Sequence, residues 1–298
     1  MYVRRKSNWY IYFIAFGVTL VFAFVAILAF SWYLFPSDTQ DTGIDKTTGE
    51  LADDFVPTAE HSFNLLGMIS DGVNDNPEFF FMVEYNAPEN RIVFVPLPEG
   101  ISVGSEGRTL PNVYAAQGGA QVVKAVENEV GISCNAFVKM DKLSFEDLLT
   151  SFGNVEYSLP KTIMIDDKDS GKIVTFNSGR QLLKSEDIYQ LIIDADYEEG
   201  ESYKFKLFGD IISELVNQNY RNVDGNLLDT YFSMIMKNSE TNLTEDIYKQ
   251  HKAALLNTVE YGVSPAEFYV PYGEFTDDGG FKIADNSVIS IKQKAGLA

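Results

Sequence analysis

The feature that most constrains this chain is a long apolar segment near its N-terminus. From Trp9 to Phe35 the sequence is apolar and aromatic and contains no charged residue. This length exceeds the roughly 20 residues that a helix needs to cross the hydrocarbon core of a bilayer. A cleaved signal peptide is the alternative, but its apolar region is only about 7–15 residues long. We therefore predict an uncleaved transmembrane helix over 9–35, preceded by a short tail over 1–8.

Charges beside this segment predict its orientation. Arg4, Arg5 and Lys6 precede it without an acidic residue among them, and basic residues favour the cytoplasmic side of a membrane span. We expect a single-pass protein of the cell membrane, with a cytoplasmic N-terminus and everything after the span outside the cell. Residues 36–60 are polar, acidic and rich in Thr, which predicts an extracellular tether.

The overall charge argues against one class of partner. The chain has 43 acidic and 23 basic residues and a formal net charge of −20. Three of the basic residues lie in the N-terminal tail, so the part outside the membrane is more acidic still. Nucleic-acid binding depends on Lys and Arg at phosphates, and an acidic surface repels it. We therefore predict that nucleic acid is not a partner.

After the tether, strand-like and helix-like patterns alternate, which predicts an α/β domain with a mixed sheet. Strands are predicted near 62–68, 78–85, 91–97, 136–140, 155–159 and 172–176, the last two bracketing an acidic turn. Helices are predicted over 118–130, over 145–152 with Ser144 as cap, from Ser185, through 211–216, and over 241–256 with Thr244 as N-cap. A final hairpin is predicted to pair 267–270 with 281–283. We divide this region into a domain over 61–258 and a β-rich extension over 259–298.

Several short segments follow one another in a characteristic order. They read Phe63-Asn64-Leu65-Leu66-Gly67, Pro111-Asn112-Val113-Tyr114-Ala115-Ala116-Gln117-Gly118-Gly119-Ala120, Val126-Glu127-Asn128-Glu129-Val130-Gly131-Ile132 and Phe152-Gly153-Asn154-Val155. In order and spacing the chain resembles a LytR-CpsA-Psr domain, a membrane-anchored family that attaches polymers to the bacterial envelope. Its members usually read N-(I/L)-L-L-(L)-G, N-x-A-Y-x-x-G-G, V-E-x-L-x-G-I and L-G-G-V along this path. The resemblance covers roughly residues 61–220 and implies a mixed β-sheet flanked by helices.

The resemblance also implies where the family's chemistry would lie. The family transfers a glycan from a polyprenyl pyrophosphate: arginines bind the pyrophosphate, carboxylates hold Mg²⁺, and the lipid lies in an apolar tunnel. In this chain R-S-D-T becomes Asn76-Pro77-Glu78-Phe79, and P-R-D becomes Pro98-Glu99-Gly100. Four positions that match arginines of the family therefore carry other residues, namely Asn76, Glu99, Ile193 and Ala195.

The remaining candidates for this chemistry fall into three groups. Lys204, Arg108 and Arg180 are candidates for phosphate binding. Glu78 and Glu201 are candidate ligands for Mg²⁺, the one cofactor that the resemblance implies. Phe79, Phe81, Phe145 and Leu191 are candidates to line a lipid tunnel, with an ordinary packed core as the alternative. The acidic run at Asp194, Asp196, Glu198, Glu199 and Glu201 is interpreted as a solvated loop.

These observations leave three functions open. The first is a catalytically impaired relative that binds a polyprenyl-linked glycan, its lipid carrier or a partner protein of the envelope. The second is an active phosphotransferase that attaches such a glycan to the cell wall. The third is an unrelated surface protein whose segments imitate the family. An apolar tunnel with Glu78, Glu99, Ile193 and Lys204 around one mouth would distinguish the family from imitation. An acidic mouth would favour the first function, and a relocated basic cluster at the mouth would favour the second.

Overall fold

A computed structural model describes the part of the chain that folds into the domain. The described residues are 51, 55–73, 75–101, 108–167, 171–276 and 280–297. The predicted tail, the predicted span over 9–35 and most of the predicted tether lie outside these residues. Within the described ranges, no helix is both long enough and apolar enough to cross a membrane.

The domain contains strands and helices in alternation, as predicted. The strands are β1 (Phe63–Ser70), β2 (Phe79–Asn86), β3 (Arg91–Leu97), β4 (Ala136–Asp141), β5 (Val155–Leu159), β6 (Ile163–Asp167), β7 (Lys172–Phe176), β8 (Gly179–Leu183), β9 (Glu240–Thr241), β10 (Ala266–Phe268), β11 (Gly273–Phe275) and β12 (Phe281–Ile283). The α-helices are α1 (Leu110–Gln117), α2 (Gly119–Val130), α3 (Lys142–Phe152), α4 (Ser185–Tyr189), α5 (Glu201–Asn219), α6 (Gly225–Asn238), α7 (Glu245–Tyr261) and α8 (Asp285–Lys294). A π-helix over Gln190–Asp194 continues directly from α4.

Six strands form one mixed sheet in the spatial order β10-β3-β2-β1-β4-β9. β1, β2 and β3 are antiparallel neighbours, whereas β1 pairs with β4, and β3 with β10, in parallel. Antiparallel pairs outside this sheet join β5 to β8, β6 to β7 and β11 to β12. The expected mixed sheet flanked by helices is therefore confirmed.

Successive side chains of β2 point to opposite faces of the sheet, and each face packs against its own hydrophobic cluster. Phe79 and Phe81 face a cluster that includes α5, where the ring of Phe79 lies 4.8 Å from that of Phe208. Phe80 and Met82 face a second cluster, built with α1, α2 and α8. Both faces are covered, so the sheet is a rigid platform on which the ends of its strands can hold a site.

The contacts correct one predicted helix cap and confirm another. Helix α3 begins at Lys142 rather than after Ser144, because the Asp141 carboxylate accepts a hydrogen bond from the Ser144 backbone N–H at 2.8 Å and caps the helix. In contrast, Thr244 caps α7 as predicted, by accepting from the Ile247 N–H at 3.3 Å.

The predicted C-terminal hairpin is wrong, and the two strands that bracket the acidic turn belong to different pairs. The acidic turn joins β6 to β7, and β5 pairs instead with β8. Near the C-terminus, β12 pairs with β11, whereas β10 joins the central sheet beside β3. The region after residue 258 thus supplies a strand of the main sheet and ends in α8, a helix that the sequence pattern did not indicate.

Candidate functional site

A cavity of about 560 Å³ opens where β2 begins, β3 ends and the π-helix meets α5. Its lining residues are Glu78, Phe79, Leu97, Glu99, Ile193, Asp194, Ala195, Asp196, Tyr197, Gly200, Glu201, Lys204 and Phe205. We call it the acidic cavity, because five of these residues carry carboxylates. Of the described lining residues, Lys204 is the only one with a positive charge.

The backbone around the acidic cavity explains how these residues converge. The Ala195 N–H donates to the carbonyl of Gln190 at 3.0 Å, which is the wider hydrogen bond of a π-helix. Tyr197 then reaches back, and its hydroxyl donates to the carbonyl of Leu191 at 2.5 Å. Gly200, with a φ of +81°, turns the chain into α5. This path places the π-helix and the first turns of α5 on adjacent walls.

The Lys204 ammonium is already engaged with the protein. It donates a hydrogen bond to the carbonyl of Ile193 at 2.6 Å, and the side chain is only partly exposed. Burial lowers the pKa of Lys204, and the nearby carboxylates of Asp196 and Asp194 act against that shift. The lysine therefore holds the π-helix to α5 and lies near carboxylates that favour its charged form.

The carboxylates of the acidic cavity also influence one another. Burial raises the pKa of Glu201, and the negative charge of Glu99 raises it further. Lys142 lies 3.8 Å from Asp194 at one side of the cavity. An anionic ligand that enters this cavity would be repelled by the carboxylates that line it.

The structure brings together most of the residues that the family resemblance singled out. Glu78, Glu99, Ile193, Ala195, Glu201 and Lys204 all line the acidic cavity. Asn76, Arg108 and Arg180 are exposed and are not among the residues that line it. Arg180 instead forms an ion pair with Glu156 across the β5–β8 pair. Of the three phosphate-binding candidates, the structure therefore places only Lys204 at the cavity.

The four tunnel candidates all lie in the hydrophobic cluster on the α5 side of the sheet. Phe79 is also part of the cavity wall, whereas Phe81, Phe145 and Leu191 are buried among other core side chains. Phe145 lies 6.4 Å from the ring of Tyr189, and Leu191 is fully buried. Lipid contact by these side chains stays a prediction.

The metal candidates share the acidic cavity without forming a compact ligand set. Mg²⁺ demands near-octahedral oxygen coordination at about 2.0–2.1 Å. Among the residues that the structure describes, no group of three or more His, Cys, Asp or Glu side chains is arranged to hold a metal ion. Mg²⁺ usually keeps several waters and binds one or two carboxylates together with substrate phosphates, so Glu78 and Glu201 as Mg²⁺ ligands stay a prediction.

For two residues of the acidic cavity, the structure differs from the interpretation that the sequence favours. Asp194 and Asp196 were interpreted as part of a solvated acidic loop, yet both line the cavity. Glu199 of the same run points elsewhere and pairs with Lys161. A signal was present, because Asp194 and Asp196 alternate with the two positions that match arginines of the family.

Comparison with known proteins identifies the class to which this fold and cavity belong. The chain matches the LytR_cpsA_psr family over residues 81–270 and therefore belongs to it. No curated protein sequence matches the chain closely enough to be called a relative.

Solved structures share this fold. A crystal structure of a proposed transcription regulator from Eubacterium siraeum is 26% identical, with a TM-score of 0.75, and covers 82% of this chain and 95% of its own. Bacillus subtilis TagV is 15% identical, with a TM-score of 0.62 and coverage of 80% and 98%. TagT bound to LI-WTA is 16% identical, with a TM-score of 0.61 and coverage of 78% and 89%. The family match over residues 81–270 excludes imitation by an unrelated protein.

Proposed function

We propose that this protein is a membrane-anchored, extracellular member of the LytR-CpsA-Psr family that is catalytically impaired and binds a polyprenyl-linked glycan of the envelope. The observation that carries this proposal is the charge of the acidic cavity. Five carboxylates and one engaged lysine occupy the place where the family resemblance implies a pyrophosphate held by arginines. The predicted span over 9–35 would hold the domain at the outer face of the membrane.

Electrostatics explains why transfer would be impaired. Two like unit charges 4 Å apart repel by about 4 kcal/mol at an effective dielectric of about 20. Glu99 stands where an arginine would attract the pyrophosphate, so its charge opposes binding instead of supporting it. Each charge-assisted hydrogen bond that is missing removes roughly a further 1.5–3 kcal/mol. Losses of this size at several positions exceed what Lys204 alone can offset.

Glycan binding can survive these losses. Carboxylates accept hydrogen bonds from sugar hydroxyls, and aromatic walls such as Phe79 and Phe205 provide apolar contact area. A relative, TagT, has been solved bound to LI-WTA, which supports an envelope glycan as the class of ligand. A partner enzyme of the envelope is the other occupant that this surface could receive.

Restoring arginines to the acidic cavity tests the proposal. The full chain in detergent is assayed for transfer of a lipid-linked phosphoglycan to peptidoglycan, with and without Mg²⁺. We expect no turnover by the wild type, together with binding of the lipid-linked glycan. The variant Glu99→Arg, Ile193→Arg, Ala195→Arg should bind inorganic pyrophosphate at least about a hundredfold more tightly, because about 3 kcal/mol or more is regained. Circular dichroism checks that it folds.

A matched control separates the effect of charge inside the cavity from the effect of the net charge of the protein. Glu198→Arg makes the same reversal as Glu99→Arg on an exposed residue that is not among those lining the cavity. Pyrophosphate affinity should not change in this control. Robust Mg²⁺-dependent transfer by the wild type would contradict the proposal and establish the phosphotransferase. Absence of glycan binding, with capture of a defined envelope enzyme, would establish the partner function instead.

A further inference from the structure

A second cavity lies at the edge of the sheet where the parallel strands β1 and β4 end. Its volume is about 530 Å³, within the roughly 300–1,000 Å³ range of ligand pockets. Ser70 and Asp141, the last residues of the two strands, are partners in the parallel register, and both line it. In open α/β sheets, ligands bind in the crevice outside the carboxyl ends of the strands. We call this the strand-end cavity.

The strand-end cavity is separate from the acidic cavity. Their described lining residues do not overlap. The connection from β1 to β2 runs between them: Asp75 lines the strand-end cavity, and Glu78 lines the acidic cavity. None of the four positions matched to family arginines lines the strand-end cavity.

One buried lysine organises part of the strand-end cavity through its contacts, whereas the side chain of its partner Asp75 is 87% exposed. Lys139 has a side chain that is only 9% exposed, forms an ion pair with Asp75, and places its ammonium 5.3 Å from the ring centroid of Tyr114. The Tyr114 hydroxyl donates to the Glu240 carboxylate at 2.7 Å. Glu240 lies opposite Lys139 in the register of β4 and β9. Such contacts fix side chains before a ligand arrives, which lowers the entropy lost on binding.

The mixture of charges selects one chemical class of ligand. Three carboxylates, from Asp75, Asp141 and Glu240, oppose an anionic ligand such as a phosphate ester. The ammonium groups of Lys139 and Lys237 offset two of these three charges, so among the described lining residues only one excess negative charge would attract a polyamine. An apolar ligand would strip water from all of these groups without replacing its hydrogen bonds. A sugar hydroxyl both donates and accepts, so it can satisfy carboxylates and ammonium groups together.

We propose that the strand-end cavity is a binding site for a neutral saccharide. The cavity is a second glycan site, built from residues outside the motifs that define the acidic cavity. Hydroxyls of one sugar residue would donate to the carboxylates at the strand ends and accept from the lysines. The site requires no pyrophosphate, so it can bind a saccharide whether or not the acidic cavity binds a lipid-linked glycan.

Calorimetry on the full chain tests this site. The protein is kept in a polyoxyethylene detergent, which contains no sugar, and is titrated with N,N′,N″-triacetylchitotriose (hereafter chitotriose) as the neutral probe. Spermidine and inorganic pyrophosphate serve as cationic and anionic competitors. We expect chitotriose to bind and neither charged compound to displace it at equal concentration.

Variants locate the binding. Lys237→Ala, at an exposed rim position, should weaken chitotriose binding roughly tenfold, through the loss of one hydrogen bond to a charged group. Asn238→Trp, also at the rim, should abolish binding by filling the entrance. Lys124→Ala is the matched control, because Lys124 is an exposed helical lysine that lines neither cavity. All three should retain the wild-type circular dichroism spectrum.

Three results would overturn the proposal. The first is absence of chitotriose binding by the folded wild type. The second is wild-type affinity in both Lys237→Ala and Asn238→Trp, or an equal loss in Lys124→Ala. The third is displacement of chitotriose by spermidine or pyrophosphate. The transfer assay on the acidic cavity uses a lipid-linked phosphoglycan, whereas these titrations use chitotriose. If the proposed function of the acidic cavity fails, the titrations therefore still test the strand-end cavity.

Discussion

Replacing Glu84 by glutamine should remove a strong pH dependence from the stability of the domain. Glu84 lies in β2 with its side chain fully buried, and neither carboxylate oxygen has a hydrogen-bond partner among the described residues. Burial raises its pKa from 4.5 to about 8, although the positive charges of Arg91 and Lys294 act against the shift. At neutral pH the folded protein therefore holds Glu84 largely as the neutral acid.

The sign of the effect follows from proton linkage. The pKa of Glu84 is higher in the folded than in the unfolded state, so between pH 4.5 and about 8 the folded state binds the extra proton. The free energy of unfolding therefore falls as the pH rises through this range, and levels off above it. At about 1.4 kcal/mol per pKa unit, the full loss is on the order of 4–5 kcal/mol. Glutamine cannot ionise, so Glu84→Gln should lose this contribution to the slope.

Urea unfolding of the full chain in detergent between pH 5 and pH 9 measures this loss. Circular dichroism is the suitable signal, because the two tryptophans, Trp9 and Trp32, both lie in the predicted span rather than in the domain. Glu198→Gln, which changes an exposed glutamate, is the matched control and should keep the wild-type slope. A wild-type stability that is flat or rises from pH 5 to pH 8, or an unchanged slope in Glu84→Gln, would refute the reasoning.

Further predictions concern helix ends, the core and topology. Asp141→Ala should lower the free energy of unfolding by about 0.5–2 kcal/mol through loss of the α3 cap, and Asp141→Asn by less, as urea unfolding would show. Phe208→Ala should lower it by about 3–5 kcal/mol, because this ring is only 1% exposed. Gly131→Ala should lower it by about 1–2 kcal/mol, because φ is +68° there, whereas Gly100→Ala, with open space around it, should have little effect. Protease added to intact spheroplasts should digest the domain if the predicted span over 9–35 is an uncleaved anchor; protection of the domain would contradict that topology.

Local signals predicted those elements whose partners are close in sequence. The segment Asn86-Ala87-Pro88-Glu89-Asn90 is rich in turn formers, and the strands predicted on either side of it pair as the β2–β3 hairpin, with β3 at the predicted bounds. Helix α2 ends at Val130, as predicted, and the next residue, Gly131, has the left-handed conformation that commonly follows a helix. In each case the residues that determine the structure lie within the element or beside it.

Pairings between distant segments could not be predicted in the same way. The three residues of β10 join β3 across more than 160 intervening positions, and no alternation within so short a strand specifies that partner. Each hydrogen bond of the π-helix after α4 spans one residue more than in an α-helix, and no distinct sequence pattern marks this difference. That helix places Ile193 and Ala195 at the cavity wall, so the motif alignment identified these positions without revealing their geometry.

The acidic cavity is negatively charged where the family resemblance implies arginines. This charge is compatible with an intact fold because the residues that carry it are different from the residues that hold the sheet together. The sheet is held by apolar clusters on both faces, and neither depends on a cation in the cavity. Lys204 holds the π-helix to α5 through the Ile193 carbonyl, a contact that needs a donor rather than an arginine fork. At two of the matched positions, Ile193 and Ala195, apolar side chains belong to the buried cluster itself, so the fold packs without arginines there. Selection on phosphoryl transfer can thus relax while the fold, and any glycan site formed by its strand ends, is retained.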